Sequence, residues 1–477
     1  MNILFVTSEA APFCKTGGLA DVAGSLPPAL AASGEDRVAV ILPLYSQIKE
    51  EWRQKMTFRK YIYVDLAWRH QYCGLFSLEY RGVTWYFVDN EMYFCRERLY
   101  GDFDDGERFA FFSHAVVDLL PHLDDMPDVV HCNDWQSAAV PVYIKDYAVR
   151  EEAYKHVRTV FTVHNIEYQG WLPPTAVADL LGLDPGWWES GALRMGGAVN
   201  LMKAALLSAD AVTTVSPTYA RQLMDSYYAH GLEGIVAAVS DKLTGVLNGI
   251  DVESFNPRTD KAIPARYNSH NLAGKAVCKR RLQEQLGLAL EEHTPVLAIV
   301  SRLVGHKGMD LICQVADDIM STGAQLVVLG MGDAGYENFF RDLQNRYGGR
   351  ACACITYSDA LARQIYAGAD LFLMPSKSEP CGLSQMIAMR YGTVPIVRQT
   401  GGLNDSVRSC QVGQKDGTGF VFARYDAADM LEVIRQAVGL YHCDDFAVVR
   451  RRGMLEDFSW KRSAGTYRGI YANLLGE

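Results

Sequence analysis

The chain has 477 residues, of which 49% are hydrophobic and 21% charged, and its 46 basic and 56 acidic side chains leave a formal net charge of −10. That much foldable sequence implies two or three domains with sizeable cores, and argues against both a disordered chain and a single small binding module. The acidic balance argues against a protein that coats nucleic acid, though a local cationic pocket is compatible with it.

The opening MNILFVTSEA carries no basic stretch before its apolar run and has Glu9 behind it, so it reads as a buried first strand and not a secretory leader. Residues 3–8 form that run, and Lys15-Thr-Gly-Gly-Leu-Ala-Asp21 follows ahead of an apolar helical stretch. Further strand runs are expected at 37–43, 84–89, 128–132, 158–164 and 211–216. The run at 128–132 leads into His131-Cys-Asn-Asp134-Trp-Gln, and the run at 158–164 ends on His164 and is followed by Asn165. The polar, turn-rich NGIDVESFNPRTD at 248–260 marks a domain boundary, and a helical stretch over about 268–286 leads into a second half.

That second half offers strand runs at 295–301, 324–330, 371–376 and 393–397. Near-continuous Val/Ile/Leu runs between helical patterns indicate parallel sheets covered on both faces, hence two doubly wound α/β domains facing a cleft. The first run of this half is followed by Arg302-Leu-Val-Gly-His-Lys307-Gly-Met-Asp310. Both halves therefore place a lysine and glycine backbone at a βα turn beside a helix start, at the sheet edge where open α/β proteins bind ligands. Two such turns facing one cleft would suit an anionic group.

Gly330-Met-Gly332-Asp-Ala-Gly335 satisfies the dinucleotide-binding glycine pattern, but the next strand, ACACITY at 351–357, lacks the acid that would hold a ribose. The segment reads as a close ligand approach or a structural turn. Glu379 stands in a Ser/Pro/Gly loop between a buried strand and the helical stretch 383–392, and the Gly-Gly of 401–402 supplies another turn. Arg302 and Lys307, five positions apart, could clamp a diphosphate from two sides.

The 11 cysteines, odd in number and scattered from Cys14 to Cys443, read as free and largely buried thiols in a reducing cytoplasm. Cys352 and Cys354 read as thiols on one strand face, without a second pair at zinc spacing. No apolar run reaches the roughly 18–20 residues that cross a bilayer. Phosphate-loop, nucleophile-elbow and His-Glu-x-x-His patterns are also absent from the sequence. What remains suits group transfer from an activated, phosphate-linked donor.

KTGGLADV (15–22), HCNDWQ (131–136), TVHNIEYQG (162–170), TTVSPTYA (213–220), GVLNGID (245–251), SRLVGHKGMD (301–310), SEPCGLSQM (378–386) and RQTGGLNDSV (398–407) together resemble the bacterial glycogen synthases and plant starch synthases. The resemblance runs from the first strand to DFSW (457–460) and the final helix. It implies a GT-B glycosyltransferase fold: an acceptor-side Rossmann-like domain at 1–250, a donor-side one at 251–455, and a tail, 456–477, crossing back to the first. It implies transfer of glucose from ADP-glucose to the non-reducing end of an α-1,4-glucan, with retention and without metal or cofactor. ADP-glucose and glycogen or a linear glucan would be the partners, with neither nucleic acid nor membrane.

The same resemblance carries roles to individual residues. Lys15 with Gly17 and Gly18 would approach the diphosphate and sugar, and Arg302 and Lys307 would neutralise the departing ADP. Glu379 would bind the transferred glucose and organise its transition state. His164 would contact that glucose through its side chain, with its carbonyl near the anomeric carbon. Asp134 and Asn165 would be polar cleft residues, Asp21 a donor or acceptor contact, and Asn248 a further substrate contact. Tyr357 would pack on adenine, while Cys381, Gly382, Leu383 and Ser384 would face phosphate. Ile387 stands where many related transferases carry a second glutamate, so Glu379 has no local carboxylate partner of the hydrolase kind. A front-face reaction, in which the departing phosphate accepts the incoming hydroxyl proton, fits that inventory. The alternatives are another nucleotide-sugar transferase or a non-catalytic glucan-binding protein.

Overall fold

A computed structural model describes residues 1–410 and 416–476. They fall into two compact units, Met1–Gly249 with Trp460–Glu477, and Ile250–Ser459. The first contains β1 (Asn2–Val6), β2 (Arg37–Pro43), β3 (Thr57–Leu66), β4 (Arg69–Tyr80), β5 (Val83–Asp89), β6 (Val129–Asn133), β7 (Arg158–Val163), β8 (Trp171–Leu172), β9 (Arg194–Met195), β10 (Ala198–Asn200), β11 (Ala211–Thr214) and β12 (Leu243–Gly245). Nine of these make one sheet in the order β12-β11-β7-β6-β1-β2-β5-β4-β3, and β8, β10 and β9 make a small separate one.

From β12 to β5 every pairing is parallel, and the strands are the apolar runs of the sequence. All five residues of β6 are buried, as central strands covered on both faces require. The sheet is not purely parallel, however: β3 and β4 add an antiparallel extension to β5. Along β3 exposed aromatic or charged side chains alternate with more buried ones, and the buried stretch of β4, Cys73–Leu78, is interrupted by Gly74 and Ser77, so neither shows a continuous apolar run. Their tight connection, Ala67-Trp68, also lacks the Asn or Gly that announces a hairpin, although Ala67 sits at φ 54°.

The terminal helix Trp460–Leu475 belongs to this first unit. It packs against the helix Gly18–Ala31, and Tyr471 buries its hydroxyl 2.7 Å from Nδ1 of His131 on β6.

The second unit holds β13 (Val296–Val300), β14 (Gln325–Leu329), β15 (Ala351–Cys354), β16 (Leu371–Met374), β17 (Val394–Arg398) and β18 (Phe420–Phe422). They form an all-parallel sheet in the order β15-β14-β13-β16-β17-β18. Ile312 and Met320 from the helix Met309–Ser321 and Ile434 from Ala427–Leu440 close its core over Leu297, Ile299 and Ile396. The parallel part of each sheet thus reverses its strand order once, between β1 and β6 in the first unit and between β13 and β16 in the second. Ligands of open α/β sheets bind beyond the carboxyl ends of the strands at such a point.

Two of the three glycines of 330–335, Gly330 and Gly332, are explained by packing, whereas a Cβ on Gly335 would meet open space. A Cβ on Gly330 would lie 1.8 Å from the carbonyl oxygen of Ser301, and one on Gly332 2.2 Å from that of Leu303. They let one turn lie against the next, which is the structural reading of that motif. The expected Gly-Gly turn at 401–402 is instead the start of a short helix, Gly401–Ser406. Of the 11 free cysteines, Cys14, Cys73, Cys132, Cys278 and Cys381 are buried, four are half-buried, and Cys95 and Cys443 are exposed, so burial is less general than expected. Cys352 and Cys354 do share a face of β15, their sulfurs 3.8 Å apart. Among the described residues no helix is long and apolar enough to cross a membrane, and no group of three or more His, Cys, Asp or Glu is disposed to hold a metal ion.

Candidate active site

At the switch point of the second unit, the turn after β13 meets the loop after β16. The short helical turn Gly305–Lys307 ends on Gly308 at φ 78°, where a Cβ would fall 2.2 Å from the carbonyl oxygen of Pro375. Only glycine allows so close an approach in that backbone region. Lys377 N–H donates to His306 O at 2.9 Å and stitches the two segments together. Lys307 Nζ consequently reaches both oxygens of Glu379, at 2.8 and 2.7 Å, and Ser376 Oγ donates to Oε2 at 2.8 Å.

Glu379 is only 7% exposed. Burial pushes its carboxyl up, but Lys307 and the Ser376 hydroxyl outweigh that and hold it below the ordinary value. The site therefore presents a buried, ionised carboxylate rather than a proton donor.

Three supports of this loop were not legible from its own residues. Arg398, buried at the end of β17, donates to the carbonyls of Ser376 and Lys377. Gly401 and Gly402 press against the loop backbone: Gly402 N–H donates to Glu379 O at 3.1 Å, and a Cβ on Gly401 would be 2.0 Å from that oxygen. An arginine closing a buried strand and a Gly-Gly pair at the next βα turn are the only sequence signals of this cradle.

Beyond Glu379 the chain turns through Cys381, which is buried, and Gly382 at φ 70°, into the short helix Ser384–Arg390 with Leu383 before it. Ile387 lies inside that helix and is buried. Arg302 is exposed, with Nη2 3.4 Å from Nε2 of His306, and does not touch Glu379. Tyr357 follows β15 and is 79% exposed.

In the first unit the corresponding point lies beyond β1, β6 and β7. Glu9, to which the sequence reading gave no part in a site, is buried after β1, and its Oε2 accepts from the N–H and hydroxyl of Thr16 at 2.5 and 2.7 Å. Those bonds fix the exposed turn that carries Lys15, Gly17 and Gly18. Lys15 Nζ meets both oxygens of Asp21 at 2.7 and 2.8 Å, so Asp21 sets the position of that ammonium.

Asp134 adopts φ 54°, unusual outside glycine. Its Oδ1 accepts the backbone N–H groups of His164, at 2.7 Å, and of Asn165, at 3.3 Å. It braces the turn after β7 from the end of β6. Burial pushes its carboxyl up to about 7, against the opposing pull of the two amides. Asn165 commits its own side-chain oxygen to Glu167 N–H, at 3.1 Å.

His164 Nε2 lies 2.8 Å from Oδ1 of Asn133, and burial pushes its pKa down to about 3. Asn248, beyond β12, is buried and its Oδ1 has no hydrogen-bond partner. The structure thus joins Lys307 with Glu379, Lys15 with Asp21, and Asp134 with His164 and Asn165. Arg302 instead meets His306, Tyr357 stands exposed, and the Asn248 side-chain oxygen has no partner.

Comparison with known proteins identifies the family. Residues 2–238 match the family described as the starch synthase catalytic domain, and residues 282–441 match glycosyl transferases group 1. A glycogen synthase of Anoxybacillus flavithermus is 47% identical over 476 residues, covering 100% of this chain and 98% of its own. One from Bacillus cereus strain Q1 is 44% identical over the full length of both. Among solved structures, the catalytic domain of starch synthase IV from Arabidopsis thaliana, bound to ADP and acarbose, superposes with a TM-score of 0.90 at 33% identity, covering 100% of this chain and 99% of that one. Sucrose-phosphate synthase from Thermosynechococcus elongatus shares the fold, with a TM-score of 0.62 at 17% identity and coverage of 100% and 99%.

Proposed function

From the premise that this chain belongs to the glycogen synthase family, we propose how its residues divide the work of elongating glycogen. The enzyme is a retaining glycosyltransferase of the GT-B fold that transfers glucose from ADP-glucose to a glucan chain. The finer assignment is that the non-reducing end of an α-1,4-glucan is the acceptor.

The donor is held by the second unit. Arg302 and Lys307 take the diphosphate oxygens, and the turn at Cys381–Ser384 offers them backbone N–H groups. Tyr357 packs on adenine, and Glu379 takes the transferred glucose. The first unit supplies His164 to that glucose, with Lys15 and the Gly17–Gly18 turn at the diphosphate and sugar. Asp134 acts through the backbone it braces, holding the His164 carbonyl where positive charge develops on the anomeric carbon. Asp21 sets Lys15, while Asn165 and Asn248 complete the substrate contacts.

Cleavage of the glucose–phosphate bond leaves positive charge on the sugar and negative charge on ADP. Lys307 and Arg302 stabilise the second, and preorganised groups of this kind contribute roughly 10²–10³-fold each. Glu379, kept ionised at neutral pH, stabilises the first. The departing phosphate accepts the proton of the incoming hydroxyl on the same face, so retention needs no protein nucleophile.

The observation that carries this reading is the Lys307–Glu379–Ser376 cluster at the switch point of the second sheet. A surface that merely binds glucan has no need to ionise a carboxylate there. The setting is proposed to be the reducing cytoplasm, in keeping with cysteines that are all free. The test is incorporation of labelled glucose from ADP-glucose into glycogen, with UDP-glucose in parallel and digestion by an α-1,4-specific enzyme. Label released by that digestion is expected from ADP-glucose. Trapping a covalent glucosyl-enzyme during normal turnover would overturn the front-face step.

A further inference from the structure

Asn133 closes β6 between its two neighbours and is fully buried. Its amide nitrogen donates to two carbonyl oxygens, Val6 at 3.0 Å and His131 at 3.3 Å. Backbone carbonyls only accept, so only the NH2 end of this amide can face them, its orientation is determined, and Oδ1 is the atom that meets His164. That oxygen lies 2.8 Å from His164 Nε2 and requires a donor there. A neutral imidazole protonated on Nε2 keeps its lone pair on Nδ1. Asn133 is itself pinned: its backbone N–H donates to Ser137 Oγ at 2.7 Å, and its strand register places it opposite Thr162, two residues before His164.

We propose that Asn133 is a positioning residue that locks His164 in the Nε2–H tautomer, so that Nδ1 acts as a hydrogen-bond acceptor for a hydroxyl of the transferred glucose. The assignment rests on the reading that His164 contacts that sugar. Chemistry favours an acceptor. An imidazolium beside a sugar acquiring positive charge would oppose the reaction, whereas a neutral ring can bind a hydroxyl without that cost.

The surroundings agree. Asp134 spends its carboxylate on the backbone of residues 164 and 165 and not on the ring. His131 lies nearby on β6, with Nε2 at Thr162 and Nδ1 at Tyr471, and is also held neutral by burial. Other titratable groups around this corner include Cys132 beside Asn133 on β6, Glu9 after β1, Glu167 after Asn165, and Tyr219 in the helix Pro217–Gln222, whose hydroxyl accepts from Ile166 N–H at 3.3 Å.

The test begins with the intact wild-type enzyme labelled with ¹⁵N-histidine, the His164 signals assigned by their loss in H164Q. Long-range proton–nitrogen correlations are expected to show the neutral Nε2–H tautomer throughout pH 6–8. An Nδ1–H tautomer or an imidazolium would overturn the assignment without any variant having to fold.

Asn133→Asp then puts a carboxylate against the ring, which raises the His164 pKa into the neutral range. Its kcat/KM, taken as a ratio to wild type so that Asp134 cancels, should fall about tenfold between pH 8 and pH 6 as Nδ1 gains a proton. A ratio independent of pH in a folded N133D whose His164 does titrate would also overturn the proposal. His164→Ala separates the underlying reading: unchanged kcat/KM there would remove the sugar contact itself, whatever tautomer Asn133 selects.

Discussion

Removing the ammonium of Lys307 should reverse the pH dependence that Glu379 confers on folding. In the native chain Glu379 is almost wholly buried, touches Lys307 through both oxygens and has a hydroxyl from Ser376. Its pKa is lowered despite burial, so the pair's stabilisation is present above the ordinary carboxyl value, about 4.3, and is lost as pH falls through the lower folded value. In Lys307→Ala the burial contribution remains and the opposing cation is gone. The folded pKa then lies above the unfolded one, and stability declines as pH rises past about 4.3.

Breaking a buried pair from one side costs about 3–5 kcal/mol, and the Lys307 side chain is still 18% exposed, so about 3 kcal/mol at pH 7 is expected. The deficit should shrink to about 1 kcal/mol near pH 4, where the orphaned carboxyl is protonated. Glu379→Gln leaves a lysine that can still reach water and should cost less, about 1–2 kcal/mol. The double variant should be more stable than K307A alone, because no lone buried charge remains.

All eight tryptophans, from Trp52 to Trp460, lie outside residues 250–459, so fluorescence is blind to this unit. Hydrogen exchange of peptides spanning 296–310 and 371–386, measured from pH 4 to 8, is the suitable assay. Additive costs in the double variant, or a K307A deficit that does not change with pH, would refute the reasoning. Turnover of K307A and E379Q should each fall at least about 100-fold at saturating ADP-glucose.

Gly308→Ala must move a turn whose new Cβ would lie 2.2 Å from Pro375 O; a loss of about 2–4 kcal/mol in the same peptides is expected, with a raised KM for ADP-glucose. Because Asp134 titrates near 7, wild-type turnover should fall about tenfold from pH 8 to pH 6 as its carboxylate is protonated. Asp134→Asn should be slow at all pH values and lack that limb, as steady-state rates would show. Tyr471→Phe leaves Nδ1 of buried His131 without its partner and should cost about 1–2 kcal/mol in the first unit, read by tryptophan fluorescence in denaturant.

The doubly wound character of both units was legible because buried parallel strands write themselves as unbroken apolar runs. The stretches at 37–43, 158–164 and 371–376 coincide with β2, β7 and β16 to within two residues at each end. The β3–β4 extension was not legible, since Tyr61 and Tyr63 alternate outward and Ala67 turns the hairpin without a turn residue. At the sites, residue types at βα turns pointed to Lys15, Lys307 and Glu379, since glycine and charge concentrate where strands end. The partners that orient them lie outside those turns, some of them far along the chain. Glu9 serves Thr16, Asn133 serves His164, and Arg398 serves the carbonyls beside Glu379. A lone buried Asn or Arg at a strand end has no local pattern, because its purpose is defined by a neighbour in space.

The helix Trp460–Leu475 completes a unit whose other residues end at Gly249. During synthesis roughly 200 intervening residues emerge first, which at about 5–20 residues per second takes about 10–40 s. Throughout that interval His131 lacks Tyr471, and the helix Gly18–Ala31 lacks its covering partner. The inserted second unit can finish folding while the older first unit is still waiting for its last helix. The nascent enzyme therefore carries an open apolar seam until residues 460–475 have emerged, and that window is where a ribosome-bound chaperone would have most to protect.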